Sequence, residues 1–285
     1  MQKIWVCGAR VQIGQAVNDV VDKLEFEMLD TDVDDLDVTD TDEVLRFGEM
    51  NRPDIIINCS GMTDISSCEE NPSQAFKVNA LGARNLAIVA AKMQAKMVQL
   101  STDDVFDDKS TEPYTEFDIT NPGTVYGKSK LAGENYVKEF TTKHFIVRST
   151  WVYGKGQNFI NGFLKKVDAG EQLSIASDQF GSPTSANELA RFLLHLVHTS
   201  EYGTYHATNK GVCSRYAFAQ EILKMTGKTA SMQPVPTVMS DFSKVRPAYA
   251  VLDNFIMSMV PIYDFPDWQD SLREYLEERG LYHAE

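Results

Sequence analysis

Two apolar runs in the first hundred residues place the strongest constraint on the fold. DIIIN starts at Asp54 and KMVQL starts at Lys96, and neither run alternates apolar with polar residues. Strands that are buried on both faces have this pattern, and such strands belong to parallel sheets that are covered by helices. Amphipathic stretches separate the runs, as crossover helices would. The sequence therefore predicts an α/β fold with a Rossmann-like, doubly wound parallel sheet.

The periodicity also gives approximate element positions. Strands are predicted at residues 3–8, 26–30, 54–59, 97–101 and 145–149, and helices at residues 12–23, 42–51, 73–93 and 126–140. After about residue 150 the pattern loosens into the loops GKGQNF, DQFGSPT, PVPT and RPAY, with helices at 186–199, 215–226 and 268–279. We expect a dinucleotide-binding domain at residues 1–150, to which later segments return. Residues 151–285 would form mainly a smaller α/β substrate-binding lobe.

Composition narrows the class of protein. The net charge is −14, from 27 basic and 41 acidic residues, which argues against a nucleic-acid or anionic-membrane partner. No apolar run approaches the roughly 18 residues of a membrane span, and the apolar stretch at the N-terminus is too short for a secretion signal. The four cysteines show no C-x-x-C spacing and no metal pattern. A cytoplasmic protein with reduced cysteines and no metal site is expected.

A glycine turn follows the first predicted strand, in WVCGARVQIG. Gly8 and Gly14 flank the start of the next helix, and Asp30 lies 22 residues after Gly8 at the end of the second strand. Such a turn presents a helix N-terminus to a pyrophosphate, and an acid about 20 residues later binds the adenosine ribose. A strand-to-helix turn with no ligand has a similar signature.

The middle position of this turn holds Val11 instead of glycine. A β-branched residue adds bulk where the backbone must approach a phosphate, and valine disfavours positive φ. We therefore expect weaker cofactor binding or a reshaped loop. Arg10 offers a guanidinium to phosphate, including the 2′-phosphate of NADPH, whereas Asp30 and its acidic neighbours repel that group. The balance favours NADH over NADPH.

A second motif, VYGKSKLAGE, places Tyr126 and Lys130 four residues apart and so on one helical face. An ammonium near a phenol favours the phenolate and makes the hydroxyl a usable general acid. The helix follows the strand that ends near Thr102, so this hydroxyl and the Tyr-Lys face would meet at the carboxyl edge of the sheet. An exposed helix without catalytic function is the alternative.

The order of these motifs resembles the extended short-chain dehydrogenase/reductases, and among them the dTDP-4-dehydrorhamnose reductase family. The resemblance spans nearly the whole chain. Besides the glycine turn, its pieces are DVTD from Asp37, PDIIINCSGMTDISSCEENPSQAFKVNALGARNLA from Pro53, STDDVFD from Ser101, YGKSKLAGE from Tyr126, VRSTWVYG from Val147, DQFGSPT from Asp178 and RPAYAVLDN from Arg246.

The resemblance implies reduction of the C4 keto group of a dTDP-6-deoxy-hexulose to dTDP-L-rhamnose. Tyr126 would supply the proton, Lys130 would hold the nicotinamide ribose and tune Tyr126, and Thr102 would polarise the keto oxygen. The implied substrate-binding residues are Asp103, Trp151, Asn158 and Arg246, the last as the diphosphate partner. With Tyr126 and Lys130, the expected cofactor-binding residues are Gly8, Arg10, Val11, Gln12, Ile13, Gly14, Asp30, Asp37, Val38, Ser60, Gly61, Thr63 and Asn79.

Several positions depart from the family pattern. Val11 replaces the middle glycine, Met62 and Asp104 stand where the family has tyrosine, and Ser66 replaces an aspartate. Some relatives dimerise through a magnesium site at a glutamate that is here Ala16, so that metal is not expected and the chain is a monomer or a homodimer. Two alternatives stay open: a nucleotide-binding or regulatory protein without turnover, and a reductase or epimerase of another nucleotide sugar.

Overall fold

The computed structural model describes residues 1–107, 109–239 and 248–283. The α-helices are Gln12–Val20 (α1), Thr41–Asn51 (α2), Ile65–Glu70 (α3), Pro72–Phe76 (α4), Ala83–Met93 (α5), Val125–Phe140 (α6), Phe159–Asp168 (α7), Ala186–Val197 (α8), Arg215–Thr226 (α9), Phe255–Met259 (α10) and Trp268–Glu278 (α11). The strands are Gln2–Cys7 (β1), Phe26–Thr31 (β2), Ile55–Asn58 (β3), Lys96–Thr102 (β4), His144–Ser149 (β5), Val152–Tyr153 (β6), Leu173–Ala176 (β7), Phe180–Gly181 (β8), Thr184–Ser185 (β9), Gly203–His206 (β10), Cys213–Ser214 (β11), Met232–Val235 (β12) and Tyr249–Ala250 (β13).

A parallel sheet organises the first half of the chain. Its strand order is β2-β1-β3-β4-β5-β10, and every neighbouring pair is parallel. The chain runs from β1 to β2 on one side and then crosses to β3 on the other side of β1. The carboxyl ends of β1 and β3 therefore border the crevice in which such sheets bind ligands. The predicted doubly wound α/β fold is confirmed.

Helices cover both faces of this sheet. Ile4 and Val6 of β1 point into one apolar core with residues of α1 and α8, whereas Trp5 and Cys7 point into a second core with α5. This alternation explains why the strands read as continuous apolar runs. Both α8 and β10 come from the second half of the chain, and β10 forms one edge of this sheet. Among the described residues, no helix is long and apolar enough to cross a bilayer.

A separate apolar core lies in the second half of the chain. It gathers Phe163 of α7, Phe218 of α9 and Leu272 of α11 around Trp268. Short strand pairs surround these helices: β12 with β7, β6 with β9, and β8 between β11 and β13. The sequence predicted α9 and α11 but missed α7, because the helix begins at the last residue of the polar loop GKGQNF. Asn158 caps α7 by accepting a hydrogen bond from the Asn161 N–H at 3.0 Å.

The helix predicted over residues 73–93 is interrupted. The structure has α4, then a π-helix at Lys77–Gly82, then α5. Gly82 lies so close to the loop after β2 that a Cβ there would approach Val38 Cγ2 to 2.8 Å. The wider π turn also holds Asn79, whose side chain is buried. π-helical turns often occur beside functional sites, and Asn79 reaches one here, as described below.

Candidate functional site

Two glycines allow the β1–α1 turn to pass close to neighbouring backbone. Gly8 has φ +76°, and a Cβ on it would lie 2.7 Å from the amide nitrogen of Ser60. A Cβ on Gly14 would overlap the carbonyl oxygen of Gly8 and approach Ala9 Cα to 2.8 Å. Neither position accepts a larger residue without displacement of β1, α1 or the loop after β3. The turn therefore has the tight geometry of a dinucleotide-binding fold.

Val11 adopts an unstrained conformation at the N-cap of α1. Its φ is −76° and its ψ is 164°, in the extended region that β-branched residues favour. The valine therefore introduces no positive φ into the turn. The expected weaker cofactor binding stays a prediction. The valine side chain is exposed at the mouth of the cavity that the turn borders.

Acidic residues already surround Arg10. Its guanidinium donates to Asp34 at 2.7 Å and to Asp35 at 3.0 Å, and its backbone N–H donates to the Asp32 carboxylate at 2.9 Å. Asp30 lies exposed near the end of β2. The sequence identified Arg10 and Asp30 but missed Asp32, which follows β2 directly and is the acid that contacts the glycine turn.

The start of α6 lies against the turn that follows β4. Thr124 caps the helix by accepting the Gly127 N–H at 2.9 Å, and a Cβ on Gly127 would overlap the carbonyl oxygen of Asp104. Asp104, where the family has tyrosine, is buried at this contact. The close packing brings Tyr126 and Lys130 to the carboxyl end of β4, where Thr102 lines the same cavity. The three predicted catalytic residues are thus brought together.

Lys130 is buried among groups that act on its charge in opposite directions. Burial lowers its pKa from 10.5 to about 8, and the carboxylate of Glu134 opposes this shift. Glu134 is itself fully buried and accepts hydrogen bonds from Arg148 Nε at 2.9 Å and Nη2 at 2.7 Å, and from Ser101 Oγ at 2.6 Å. A bidentate ion pair therefore fixes the carboxylate one helical turn from the ammonium.

Thr102 is held by the residues that follow it. Its hydroxyl donates to Asp103 Oδ1 at 3.0 Å and accepts the Asp104 N–H at 3.2 Å. Asp103 is buried and lines the same cavity. Because a hydroxyl carries one proton, Thr102 must turn this proton away from Asp103 before it can donate to a ligand oxygen.

Asn79 connects the loop after β3 to α6. Its side chain accepts the Met62 N–H at 2.8 Å and donates to Met62 O at 2.9 Å and to Ser129 Oγ at 2.8 Å. Gly61 lies beside it, where a Cβ would stand 3.0 Å from Asn79 Oδ1 and 3.8 Å from Lys130 Nζ. Asn79 therefore ties the loop after β3 to α6 beside Lys130 and acts as a positioning residue for this part of the cavity wall.

Trp151 occupies an unusual position in the opposite wall. It has φ +47°, which is costly for a bulky residue and occurs mainly at functional sites. A Cβ on Gly181 would lie 2.6 Å from its Cε2 atom, and the guanidinium carbon of Arg215 lies 3.4 Å from the ring centroid. Arg215 also lies over the ring of Phe159, 4.8 Å from its centroid. The indole is thus seated tightly against β8 and α9.

One cavity of about 620 Å³ joins these groups. The predicted residues that line it are Arg10, Val11, Gln12, Ile13, Ser60, Gly61, Thr63, Thr102, Asp103, Tyr126, Lys130, Trp151 and Asn158. Six predicted residues do not line it: Gly8, Gly14, Asp30, Asp37, Val38 and Asn79. Gly8 and Gly14 shape the turn and Asn79 positions the wall, while Val38 is buried in the core of α5 and Asp37 is exposed. Arg246 lies outside the described residues.

Two further cavity residues, Asn158 and Lys155, bond to helices that are distant in the sequence. The Asn158 amide, besides capping α7, donates to Gly154 O at 2.6 Å and to the Tyr275 hydroxyl at 3.2 Å. Lys155, also at the cavity, forms an ion pair with Asp19 at 2.6 Å. Both residues tie the loop after β6 to helices on either side of the cavity.

Sequence reasoning missed most of the cavity residues that come from the second half of the chain and its border, among them four polar residues. Arg215, Gln179, Thr150 and Tyr153 all line the cavity. Gln179 and Tyr153 stood within quoted motifs, DQFGSPT and WVYG, but no spacing rule distinguishes them from loop and core residues. Arg215 opens a helix whose start was predicted correctly, so only the packing of α9 on Trp151 reveals its place.

Comparison with known proteins agrees with this geometry. The family model described as the RmlD substrate binding domain matches residues 1–280. The chain belongs to this family. It is 34% identical over 281 residues to the spore coat polysaccharide biosynthesis protein SpsK of Bacillus subtilis, covering 98% of this chain and 99% of that protein. It is 32% identical over 280 residues to a dTDP-4-dehydrorhamnose reductase of Mycolicibacterium smegmatis, covering 96% and 84%.

Solved structures of RmlD-family relatives superpose closely. A dTDP-4-dehydrorhamnose reductase of Clostridium acetobutylicum has a TM-score of 0.95 at 40% identity, covering 98% of this chain and all of the relative. A dTDP-4-dehydrorhamnose reductase of Bacillus anthracis, solved in complex with NADP, has a TM-score of 0.94 at 34% identity, covering 98% and 100%. The family resemblance inferred from the motifs is confirmed.

Proposed function

We propose that this chain is an NAD(P)H-dependent oxidoreductase that reduces the C4 keto group of dTDP-6-deoxy-L-lyxo-4-hexulose to dTDP-L-rhamnose. The observation that carries the proposal is the convergence of Thr102, Tyr126 and Lys130 on one cavity that also borders the glycine turn. A hydroxyl, a phenol and an ammonium at the carboxyl edge of a doubly wound sheet supply what carbonyl reduction needs from a protein.

The glycine turn fits a dinucleotide. Gly8 and Gly14 let the turn pack directly against neighbouring backbone, and the exposed N-terminus of α1 beside them offers backbone N–H groups to a pyrophosphate. Gln12, Ile13, Ser60, Gly61 and Thr63 would line the cofactor, and Lys130 would hold its nicotinamide ribose. A reduced nicotinamide held there would supply a hydride for the reduction.

The protein's own groups handle the oxygen and the proton. Thr102 would turn its hydroxyl from Asp103 to the keto oxygen and polarise it. Tyr126 would donate its phenolic proton to the same oxygen as negative charge develops there. Lys130, held near Glu134, would stabilise the phenolate that remains, so that the proton is given up at moderate pH.

The substrate would bind across the second half of the chain. Residues 151–285 would contribute mainly the substrate lobe, with Asp103, Trp151 and Asn158 at the sugar end and Arg246 at the diphosphate, while residues 1–150 with α8 and β10 would bind the dinucleotide. We place the enzyme in the cytoplasm as a monomer or homodimer. Its net charge of −14 gives no reason to expect a nucleic-acid or membrane partner.

NADH is the favoured cofactor within this proposal. The guanidinium of Arg10 is paired with both Asp34 and Asp35, and the Asp32 carboxylate accepts the Arg10 backbone N–H. In an NAD-type site the end of β2 binds the adenosine ribose, so a 2′-phosphate would meet a negative field there.

The test is an assay of the purified protein with the dTDP-keto sugar and each reduced cofactor. Oxidation of NADH should depend on the sugar, and the product should carry hydrogen from a labelled cofactor at C4. Cofactor binding without sugar-dependent oxidation would instead support the non-catalytic alternative.

A further inference from the structure

Among the described residues, three side chains that reach the cavity from residues 150–179 carry four buried polar atoms with no hydrogen-bond partner. In the part of the chain that the structure describes, no hydrogen bond reaches Gln179 Oε1, Gln179 Nε2, Thr150 Oγ1 or the Tyr153 hydroxyl. All three residues line the cavity, and each is 1% exposed. An unpaired buried amide or hydroxyl costs free energy, and folded proteins rarely retain one without a ligand or an ordered water.

Rigid elements hold these side chains in place. The Gln179 carbonyl accepts the Arg215 N–H at 2.9 Å, and the next residue begins β8, which is paired on both edges. Tyr153 lies in β6, and its ring packs edge-on against Tyr275 with centroids 5.2 Å apart. Thr150 follows β5 directly. Since the elements fix these positions, a partner for the polar atoms must enter the cavity.

The chemistry of the three side chains identifies the kind of partner. A carboxamide presents one acceptor and two N–H donors on neighbouring atoms, and each hydroxyl can donate and accept. A phosphate offers acceptors alone and would leave Gln179 Oε1 unpaired. Two adjacent hydroxyl groups fit better, because one can donate to Oε1 while the other accepts from Nε2. None of the three side chains carries a charge at neutral pH, which also points to a neutral ligand.

We propose that Gln179, with Thr150 and Tyr153, binds the vicinal hydroxyl pair of the pyranose ring of the substrate. This assignment rests on the proposed function, in which C4 is the keto carbon and the remaining vicinal hydroxyls are those on C2 and C3. Gln179 is then a specificity-determining residue, because a sugar that lacks one hydroxyl leaves a buried amide atom unpaired. Sites built in this way reject deoxy analogues strongly.

The experiment compares equilibrium binding of dTDP-L-rhamnose and of dTDP to the wild-type protein and to Gln179→Met. Methionine matches glutamine in length but makes no comparable hydrogen bonds. We expect Gln179→Met to weaken dTDP-L-rhamnose binding by about 10- to 100-fold, with dTDP binding unchanged. The melting temperature of the ligand-free variant should equal or exceed that of the wild type, because the unpaired amide is removed.

A second test variant and a control variant distinguish lost sugar contacts from a purely structural effect. Tyr153→Phe retains the ring and removes only the hydroxyl, so it should also weaken sugar binding without loss of the melting temperature. Thr184→Val removes a buried hydroxyl that donates to Ser182 O at 3.0 Å and lies outside the cavity lining. It should lower the melting temperature and leave both affinities unchanged.

The outcomes separate this proposal from the proposed function. Equal affinity of the wild type and Gln179→Met for dTDP-L-rhamnose would overturn the hydroxyl subsite, as would a wild-type protein that binds the sugar nucleotide no better than dTDP. Because binding needs no turnover, failure of the reductase function would show itself separately, as intact sugar-dependent binding without oxidation of reduced cofactor.

Discussion

Gly181 is the residue whose substitution most directly tests the seating of Trp151. A Cβ at this position would lie 2.6 Å from Trp151 Cε2, 2.8 Å from Cδ2 and 2.9 Å from Nε1. Carbon atoms ordinarily approach to about 3.5–4.0 Å, so the indole must shift by roughly 1 Å. Arg215 at 3.4 Å from the ring centroid restricts that shift. Overpacking of this kind costs about 1–3 kcal/mol.

Gly181→Ala should therefore lower the melting temperature by roughly 2–5 °C, from the average unfolding entropy for a chain of this size. It should raise KM for the nucleotide sugar and leave cofactor binding unchanged, because the glycine turn lies on other elements. Calorimetry and steady-state kinetics measure these effects. Gly162→Ala in α7 is the matched control: a Cβ there meets nothing within 4 Å, so helix propensity alone should stabilise the protein by up to about 1 kcal/mol.

A rescue variant sharpens this test. Trp151→Ala in the Gly181→Ala background removes the Cε2, Cδ2 and Nε1 atoms that the new Cβ would meet, so the two substitutions should couple favourably by about 0.5–3 kcal/mol. A Gly181→Ala protein with the wild-type melting temperature and KM would refute the claim that Trp151 is held tightly against β8.

Two further predictions concern charge. Since the pKa of Lys130 is lowered to about 8, turnover should fall as the pH rises through 8 and the ammonium is lost. The cost of burying that ammonium destabilises the fold fully below pH 8 and fades between pH 8 and 10.5, so the melting temperature should not fall along with the rate. A flat pH-rate profile would contradict the role of Lys130. The second prediction concerns the Asp34→Asn/Asp35→Asn variant, which releases Arg10 from two carboxylates. NADPH should then bind about tenfold more tightly relative to NADH, which corresponds to a change of about 1.4 kcal/mol. Titration with both cofactors measures this preference, and an unchanged preference would place the 2′-position of the ribose away from Arg10.

The parallel sheet could be predicted well from the sequence because strands that are buried on both faces have apolar residues at consecutive positions. Each of the five strands predicted in the first half lies within two residues of its observed bounds. The run DIIIN, for example, becomes the fully buried β3. The helix predicted over residues 73–93 was less accurate, since nothing in an alanine-rich stretch signals the π-helical turn that carries Asn79.

The site was predictable only where a motif fixes its own geometry. Tyr126 and Lys130 share a helical face by spacing alone, and the turn at Gly8 is fixed by its glycine. By contrast, the ion pairs that occupy Arg10 depend on how the loop after β2 folds back, and the burial of Gln179 depends on packing between elements far apart in the chain. Spacing rules carry no information about such long-range contacts.

Single-turnover reduction of the dTDP-keto sugar by Tyr126→Phe most directly measures whether Tyr126 donates the proton. The rate should fall by at least about 100-fold, because a positioned proton donor is lost, while NADH should bind with nearly its wild-type affinity. Tyr136→Phe makes the same substitution on α6 at a residue outside the cavity lining and should leave the rate unchanged. A wild-type rate in Tyr126→Phe would remove this residue from the proton transfer and contradict the proposed mechanism.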